Sequence, residues 1–244
     1  MRNKIYIEPP DIERRYRRLA NLGKELGVPV PQVFLEMKVT MPDGKVVHHH
    51  KQRSHSWNRN AYNQLFEQLA AVNGNDNTFA GGKLSAREHP GGTVRYGTEV
   101  CELDSRSNML NAGKGYTGAS GSVINGILVG SGANAESFED YALQTLITNG
   151  AGAGQLSYAL SEAYVISYVA GTKTLTATHL RYMNNNSAGD VLVNEVGLVY
   201  QGAQYFAPNY PLFMNSRDHL GATVTIPASG QLKVTYTISL VYPA

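Results

Sequence analysis

The clearest pattern in the chain is a strict alternation of apolar and polar residues close to its C-terminus. From Leu232 to Leu240 every second residue is apolar. The residues between them are polar: Lys233, Thr235, Thr237 and Ser239. Because successive side chains of a strand point to opposite faces, the alternation predicts a β-strand with one buried and one polar face. Turn residues at 227–230 and a short strand-like run at 222–226 predict that this strand completes a hairpin.

Similar strand patterns recur upstream. Apolar or alternating runs predict strands at 123–130, 156–169, 173–183 and 191–200, with glycine-, serine- or asparagine-rich turns between several of them. This makes about six to eight short strands, at a spacing typical of a sandwich or a barrel. We therefore predict a mainly β fold, with an antiparallel β-sandwich over residues 122–244.

The N-terminal part of the chain predicts an extended and helical arm. Residues 1–10 have extended character and end in two prolines. Asp11 is a suitable N-cap for a helix over 11–26, which a following glycine ends. After a stiff Val-Pro-Val-Pro linker, residues 33–51 have the pattern of a hairpin around a Pro-Asp-Gly turn. We assign residues 1–56 to this arm.

One further helix is predicted over residues 57–72, where apolar residues return at helical spacing. The following stretch, 73–121, holds 10 glycines and little periodicity. A structureless loop of this length is unusual in a compact domain, so we expect an ordered surface excursion or a segment that folds against a neighbour. The helix and this glycine-rich excursion together form segment 57–121.

The composition agrees with a β-rich chain and adds a charge asymmetry. The sequence has 25 Gly and 15 Tyr, and only 16% of its residues are charged. Residues 1–60 carry 12 Lys or Arg against 6 Asp or Glu, a net charge of +6, whereas residues 61–244 carry 9 against 13, a net charge of −4. A basic arm on an acidic body can dock on nucleic acid or on an acidic protein surface, such as another copy of the chain.

Cysteine usage and hydropathy exclude two further classes. The single cysteine, Cys101, excludes an intramolecular disulfide framework. No apolar run is long enough to cross a bilayer, and the charged N-terminus does not resemble a signal peptide. We therefore expect no membrane partner and synthesis in the cytoplasm.

The predicted N-terminal helix carries the candidate contact residues. Its apolar residues fall on one stripe, and four arginines cluster within five positions. An isolated helix of this length is marginal in water, so the stripe needs a partner: its own body or, as we favour, a neighbouring subunit. Nucleic acid is disfavoured because no aromatic platform or recognised motif accompanies the arginines. The candidate subunit-contact residues are Ile12, Arg14, Arg15, Arg17, Arg18, Leu19, Leu22 and Leu26.

Two histidines are weak candidates for a metal site. His48 and His50 share one face of a predicted strand, and in a trimer they would supply six imidazoles around an axis. An exposed polar strand gives the same pattern. We therefore expect no metal and no cofactor.

Residues typical of catalysis do not form a recognisable set either. Ser216, Asp218 and His219 are adjacent, and adjacency alone cannot supply the geometry of a catalytic triad. We expect Arg217 and Asp218 to form structural pairs or a turn cap. Glu195 alternates with apolar neighbours in a predicted strand, which indicates an outer-face position. We therefore predict a protein that is not an enzyme.

Several segments resemble virion proteins of tailed bacteriophages. The segment 178–199, THLRYMNNNSAGDVLVNEVGLV, is similar to a strand pair of those proteins, and the segment 126–143, with its GILVG and DYAL motifs, is similar to what precedes that pair. Segments 214–218 and 234–238 resemble the end of the same module. The resemblance covers residues 122–243.

This resemblance implies a non-enzymatic structural protein of the phage particle. It would be a tail, neck, baseplate or fibre-attachment component, or a capsid decoration protein. Its location would be the virion, and its partners would be copies of itself and other virion proteins. The alternative is a receptor- or carbohydrate-binding fibre head, with Trp57, Tyr200, Tyr205 and Tyr210 as sugar platforms. That alternative requires Tyr205, Phe206 and Tyr210 to form an exposed stripe.

Overall fold

A computed structural model describes residues 4–7, 9–70, 85–96, 115–201 and 212–242. Within these residues there are two α-helices, α1 (Pro10–Glu25) and α2 (Arg59–Ala70). The strands are β1 (Lys4–Ile7), β2 (Gln32–Thr40), β3 (Val46–Arg53), β4 (Ser85–Arg87), β5 (Val94–Tyr96), β6 (Gly126–Gly130), β7 (Ser157–Tyr158), β8 (Val165–Val169), β9 (Thr174–Asn184), β10 (Val191–Gln201), β11 (Leu212–Ile226) and β12 (Gln231–Val241).

The strands of the described residues form a larger and a smaller sheet and one separate hairpin. The larger sheet has seven strands in the order β1-β3-β2-β12-β9-β7, with β8 also pairing with β9. The smaller sheet has the order β11-β10-β6, and β4 pairs with β5. Every described pair is antiparallel except β1 with β3. The predicted mainly β fold is confirmed.

The core lies between the larger sheet and the smaller sheet, on the sides that face each other. On β12, Leu232, Val234 and Tyr236 are fully buried and Ile238 packs half-buried against them, as the alternation predicts. Across the core, β10 and β11 contribute further buried side chains, such as Val196. Burying these side chains is the main favourable contribution to folding, at about 25 cal/mol per Å² of apolar surface.

The β2–β3 hairpin is an integral part of the larger sheet. β2 pairs with β12 along nine residues, from Gln231↔Thr40 to Ser239↔Gln32. The hairpin itself was predicted, but the sequence analysis assigned it to an arm separate from the sandwich. Segment 1–56 instead supplies three of the strands in the sheet that segment 122–244 also builds. The sequence does contain a pattern that indicates this position in the sheet: β2 has apolar residues at every second position, just as β12 does.

Strand β11 is much longer than expected. The sequence predicts a strand only over 222–226, whereas β11 begins at Leu212. Its first half contains the polar run 215–218, which lacks the alternation typical of a half-buried strand. These polar side chains are buried, and the protein tolerates their burial because each has hydrogen-bond partners inside it.

The two helices begin and end close to their predicted limits. α1 starts at Pro10 rather than at Asp11, because proline fits the first turn of a helix, where its missing N–H has no partner to lose. Gly27 follows the helix with φ of 68°, a conformation that glycine adopts without strain. α2 is capped by Asn58, whose side-chain oxygen accepts the N–H of Ala61 at 3.3 Å.

A buried arginine joins the larger sheet to the loops that surround β6. Arg181 of β9 is fully buried, and among the described residues no carboxylate pairs with it; it donates all five of its N–H groups to backbone carbonyls. The acceptors lie at 2.7–3.2 Å and belong to Ala119, Ser122, Asn125, Ile127 and Ala159. Burial lowers the pKa of Arg181 to about 10, so the group is still charged at neutral pH.

Gly118 leaves room for this guanidinium. A Cβ at position 118 would lie 2.6 Å from Nη1 of Arg181 and 2.6 Å from the carbonyl oxygen of Asn125. Neither atom can retreat without breaking the arginine's hydrogen bonds. A side chain at position 118 would therefore disturb the whole cluster.

We expect Arg181→Lys to destabilise the protein by about 3 kcal/mol or more, because lysine has three donors in place of five and leaves buried carbonyls unsatisfied. Urea denaturation measures this difference in the free energy of unfolding. Arg14→Lys, at an exposed position of α1, is the matched control and should change stability by no more than about 0.5 kcal/mol. Equal effects of the two substitutions would contradict the role given to Arg181.

Candidate assembly interface

Helix α1 is fixed to the outer face of the larger sheet by one arginine. Arg53 of β3 donates to Oε2 of Glu13 at 2.8 Å and to the side chain of Gln32 at 2.9 Å. Its guanidinium also lies 4.5 Å from the ring centroids of both Tyr16 and Phe34. The contacts with Glu13 and Tyr16 connect the helix to the sheet, and those with Gln32 and Phe34 of β2 hold the guanidinium in place.

The opposite face of α1 carries most of the predicted contact residues and is exposed. Leu19, Leu22 and Leu26, which we call the α1 stripe, are 48%, 50% and 67% exposed. The four predicted arginines are also exposed: Arg14, Arg15, Arg17 and Arg18. Arg17 pairs with Glu13 at 3.1 Å along the helix.

Ile12 differs from the other candidates. It is half-buried and lines a cavity of about 300 Å³ beside Tyr6 of β1. The predicted single stripe is thus divided in space. Ile12 packs beside the protein's own body near the start of the helix, whereas the α1 stripe lies further along the helix and is exposed.

A second uncovered apolar surface continues the core at one end of the larger sheet. Directly paired residues of neighbouring strands share a face, and the pairs Ile166↔Ala177↔Ile238 and Tyr168↔Leu175↔Leu240 lie on the same face as the buried Tyr236. We call these six residues the apolar shelf. Ile166 and Tyr168 are exposed and the other four are half-buried. Among the described residues, none of the smaller sheet covers the shelf.

A groove lies between this end of the sheet and the C-terminal half of α1. It has a volume of about 480 Å³ and is lined on the helix side by residues such as Ala20 and Val28. On the sheet side it is lined by the turn after β8 and by Val241 and Tyr242 at the end of β12. The groove therefore lies at the end of the larger sheet, between α1 on its outer face and the turn after β8.

The two metal candidates are buried rather than exposed. His48 and His50 do share one strand face, but it is the core face, and His49 between them is the half-exposed residue. His50 stacks on Tyr6 with ring centroids 4.4 Å apart, and its Nε2 lies 2.7 Å from Oε1 of Gln52. Burial lowers the pKa of His50 to about 4. The neutral ring donates its Nε2–H to Oε1 of Gln52, because an amide oxygen can only accept hydrogen bonds. The same oxygen also accepts the N–H of Gly221.

Metal binding finds no support elsewhere in the part of the chain that the structure describes. Within it, no three histidine, cysteine or acidic side chains are grouped so that they could hold a metal ion. Cys101 lies outside the described residues.

Asp218 forms the centre of a buried hydroxyl cluster between the sheets. Its carboxylate accepts hydrogen bonds from Ser54, Ser56, Ser216 and Tyr236 at 2.6–3.0 Å. Burial raises the pKa of Asp218, and these four hydrogen bonds oppose the rise. The cluster connects the end of β3 to β11 and β12, as expected for a structural role.

The ring of His219 points away from this cluster. Successive residues of a strand face opposite ways, and His219 lines the 300 Å³ cavity together with His55 and Glu136. Nδ1 of His55 lies 2.6 Å from Glu136. Burial alone would raise the pKa of Glu136, but the hydrogen bonds from His55 and from the backbone of His219 outweigh it and lower that pKa. Ser216, Asp218 and His219 therefore do not assemble as a triad.

Glu195 is fully buried, so the expected outer-face position needs correction. The alternation is right, since Glu195 lies on the opposite face from Val196, but a loop over residues 131–147 covers that face. Glu195 accepts the backbone N–H groups of Gly132, Gln144 and Thr145 at 2.8–3.2 Å. The sequence could not show that a loop would fold back onto this side of the sheet.

Arg217 completes the anchor of this loop. Its Nε donates to Glu195 at 2.6 Å, and its Nη1 donates to Asp140 at 2.9 Å. The same guanidinium donates to the backbone carbonyls of Asn134 and Ala135. The expected structural pairing is confirmed for Arg217, whereas Asp218 is bound by hydroxyl groups instead of a charged partner.

Two of the aromatic residues proposed as sugar platforms pack inside the protein. Trp57 packs half-buried against the core, and Tyr200 is buried with its ring centroid 5.4 Å from that of Tyr116. The other two platform candidates, Tyr205 and Tyr210, lie outside the described residues, as does Phe206 of the expected exposed stripe. Trp57 and Tyr200 therefore do not offer an exposed sugar-binding surface.

Comparison of the chain with family models, curated proteins and solved structures gave no match. Neither α1 nor α2, as far as the structure describes them, is long and apolar enough to cross a membrane.

We expect Arg53→Ala to loosen α1 without unfolding the sheets. Losing the charge-assisted hydrogen bond from Arg53 to Glu13 costs about 1.5–3 kcal/mol, which corresponds to tenfold or faster opening of the helix. Amide hydrogen exchange should accelerate over residues 10–25 and stay slow in β12. Arg17→Ala removes only a surface ion pair of the same helix and should leave exchange almost unchanged. Comparable acceleration in the two variants would contradict the attachment through Arg53.

We also expect stability to fall below about pH 6.5, partly through His179. Burial lowers its pKa to about 4, so the unfolded chain binds a proton between about pH 6.5 and pH 4 while the folded protein does not. His179→Phe keeps the ring contacts with Tyr116 and Tyr164 and removes the titration. Urea denaturation should show that the variant loses about 2 kcal/mol less than the wild type between about pH 7.5 and pH 5. Identical pH dependence of the two proteins would contradict this assignment.

Proposed function

We propose that the chain is a non-enzymatic structural protein of a tailed bacteriophage particle, present in several copies and attached through its N-terminal segment. It would serve as a tail, neck, baseplate or fibre-attachment component, or as a capsid decoration protein. The observation that carries the proposal is the exposed α1 stripe on a helix whose other face Arg53 already fixes to the sheet. A helix held in this way presents a preformed apolar surface to a neighbour.

The charges beside the stripe support a protein partner with an acidic surface. Among the described residues, no carboxylate pairs with Arg14, Arg15 or Arg18. These arginines are exposed on the helix that also carries Leu19 and Leu22. Acidic groups of a partner would complement them, and the negative net charge of residues 61–244 makes other copies of the chain suitable partners.

The buried ionisable clusters support a non-enzymatic role. Asp218, Glu195 and Arg181 all have hydrogen-bond partners within the protein, and they fasten loops or strands to one another. The resemblance of residues 122–243 to virion proteins of tailed phages supports the location in the particle. Copies of the chain and other virion proteins would be its partners.

The test is complementation of a phage whose own copy of this gene carries an early stop codon. Plasmids supply the wild-type chain, the double variant Leu22→Asp/Leu26→Asp, or the control Leu65→Asp. Leu65 is a leucine of α2 with 54% exposure, close to the 50% of Leu22. We expect quantitative mass spectrometry to find the wild type and the control in purified particles. The double variant should be reduced at least about tenfold, because a charge placed in an apolar contact costs well over 1.4 kcal/mol.

Two results would contradict the proposal: one concerns the structural role in the virion and the other the attachment through α1. Particles that lack the wild-type chain would refute a structural role in the virion. Particles that incorporate the double variant as well as the wild type would refute attachment through α1. Far-UV circular dichroism of each purified variant checks that the sheets are intact.

A further inference from the structure

Strand β8 is an exposed edge of the larger sheet. Val165, Ile166, Tyr168 and Val169 are 61%, 60%, 55% and 54% exposed, and Ser167 between them is exposed as well. Among the described residues, β8 pairs only with β9. The outer backbone N–H and C=O groups of such a strand are a template for pairing with another strand.

The edge lacks the features with which proteins usually prevent such pairing. Residues 163–172 contain no charged residue and no proline. The neighbouring stretch of the same edge differs. Between Tyr158 and Val165 the edge chain advances seven residues while β9 advances only five, from Met183 to Thr178, so that stretch is bulged. Along this edge of the described chain, β8 is therefore the stretch that is both regular and unprotected.

The sequence of β8 is self-complementary about its central residue. If a second copy pairs antiparallel with Ser167 on the two-fold axis, Ser167 meets Ser167 of the partner subunit. Ile166 then lies opposite the partner's Tyr168, and Val165 lies opposite the partner's Val169. Apolar residues thus pair with apolar residues and the one polar residue with itself, which is the arrangement that an isologous interface requires.

The nearest charges favour the same orientation. Glu162 precedes the strand and Lys173 follows it. In an antiparallel pair centred on Ser167, Glu162 comes beside the partner's Lys173 at each end of the contact. A parallel pair would instead bring Glu162 beside the partner's Glu162, which is repulsive. Charge complementarity therefore selects a second copy in antiparallel orientation.

We propose that β8 pairs with β8 of a second copy across a two-fold axis at Ser167, which joins the two larger sheets into one continuous sheet. The two apolar shelves then become one surface, because Ile166 of one shelf adjoins the partner's Tyr168 of the other. This inference rests on the proposed function in that it names one contact of a multi-copy subunit. It does not involve the α1 stripe.

The test introduces a charge at Ser167, the residue on the two-fold axis, so that it lies opposite the same charge of the partner subunit. Ser167→Lys places two like charges opposite each other, and Ser167→Asp does the same with the opposite sign. We expect the wild type to sediment as a dimer and each variant to dimerise at least about tenfold more weakly, since like charges directly opposite in a sheet are destabilising. Mixing the two variants should restore a dimer, which native mass spectrometry identifies as mixed from its intermediate mass. Leu192→Lys, at an exposed position of β10, is the control and should dimerise like the wild type.

Several outcomes would overturn the inference. A wild type that sediments as a monomer would overturn it. This holds both if another segment of the chain occupies the β8 edge and if a different protein does. Undiminished dimers of Ser167→Lys would place the interface elsewhere, and a mixture without mixed dimers would refute the two-fold axis at Ser167. Thermal unfolding of each variant confirms that it is folded. Particles lacking the chain would refute the proposed function but would leave the dimer in solution unchanged, so the two failures are distinguishable.

Discussion

The five hydrogen bonds of Arg181 are the interaction on which the arrangement of this fold depends. The residue belongs to the larger sheet, while four of its five acceptors belong to residues 119–127, which lead into and form part of the smaller sheet. A buried arginine without a carboxylate is stable only if its donors are all satisfied. The guanidinium therefore fixes the position of one sheet relative to the other more specifically than apolar packing could, because hydrogen bonds have direction and apolar contacts do not.

Arg217 and Arg53 repeat this principle at two other places. Each joins a peripheral element to a sheet: the loop around Asn134 in the first case and α1 in the second. Planar guanidinium groups suit this task because they bond several acceptors and can also stack on rings. The elements held in this way keep their outer surfaces free. The α1 stripe can remain exposed because the attachment of the helix does not require it.

The regular strands could be predicted from the sequence, whereas the buried polar positions could not. Alternation identified β12, and turn residues identified the β2–β3 hairpin, since both signals are local. Whether a polar residue is buried depends on partners distant in the chain, as for Asp218 and Ser54. The α1 stripe was identified by helical spacing, but its separation from Ile12 depends on how the helix docks. The apolar shelf depends on how far the smaller sheet extends, which no local pattern encodes.

The pairing of β2 with β12 has a consequence for how the chain folds during synthesis. β2 lies near the N-terminus, and its partner is the last strand of the described chain. Until the ribosome has made β12, the β2–β3 hairpin exposes an apolar face and an unpaired edge. Contacts between such distant parts of a sequence form slowly, and intermediates with open edges associate readily. A nascent chain of this protein is therefore vulnerable to aggregation until β12 emerges and pairs with β2.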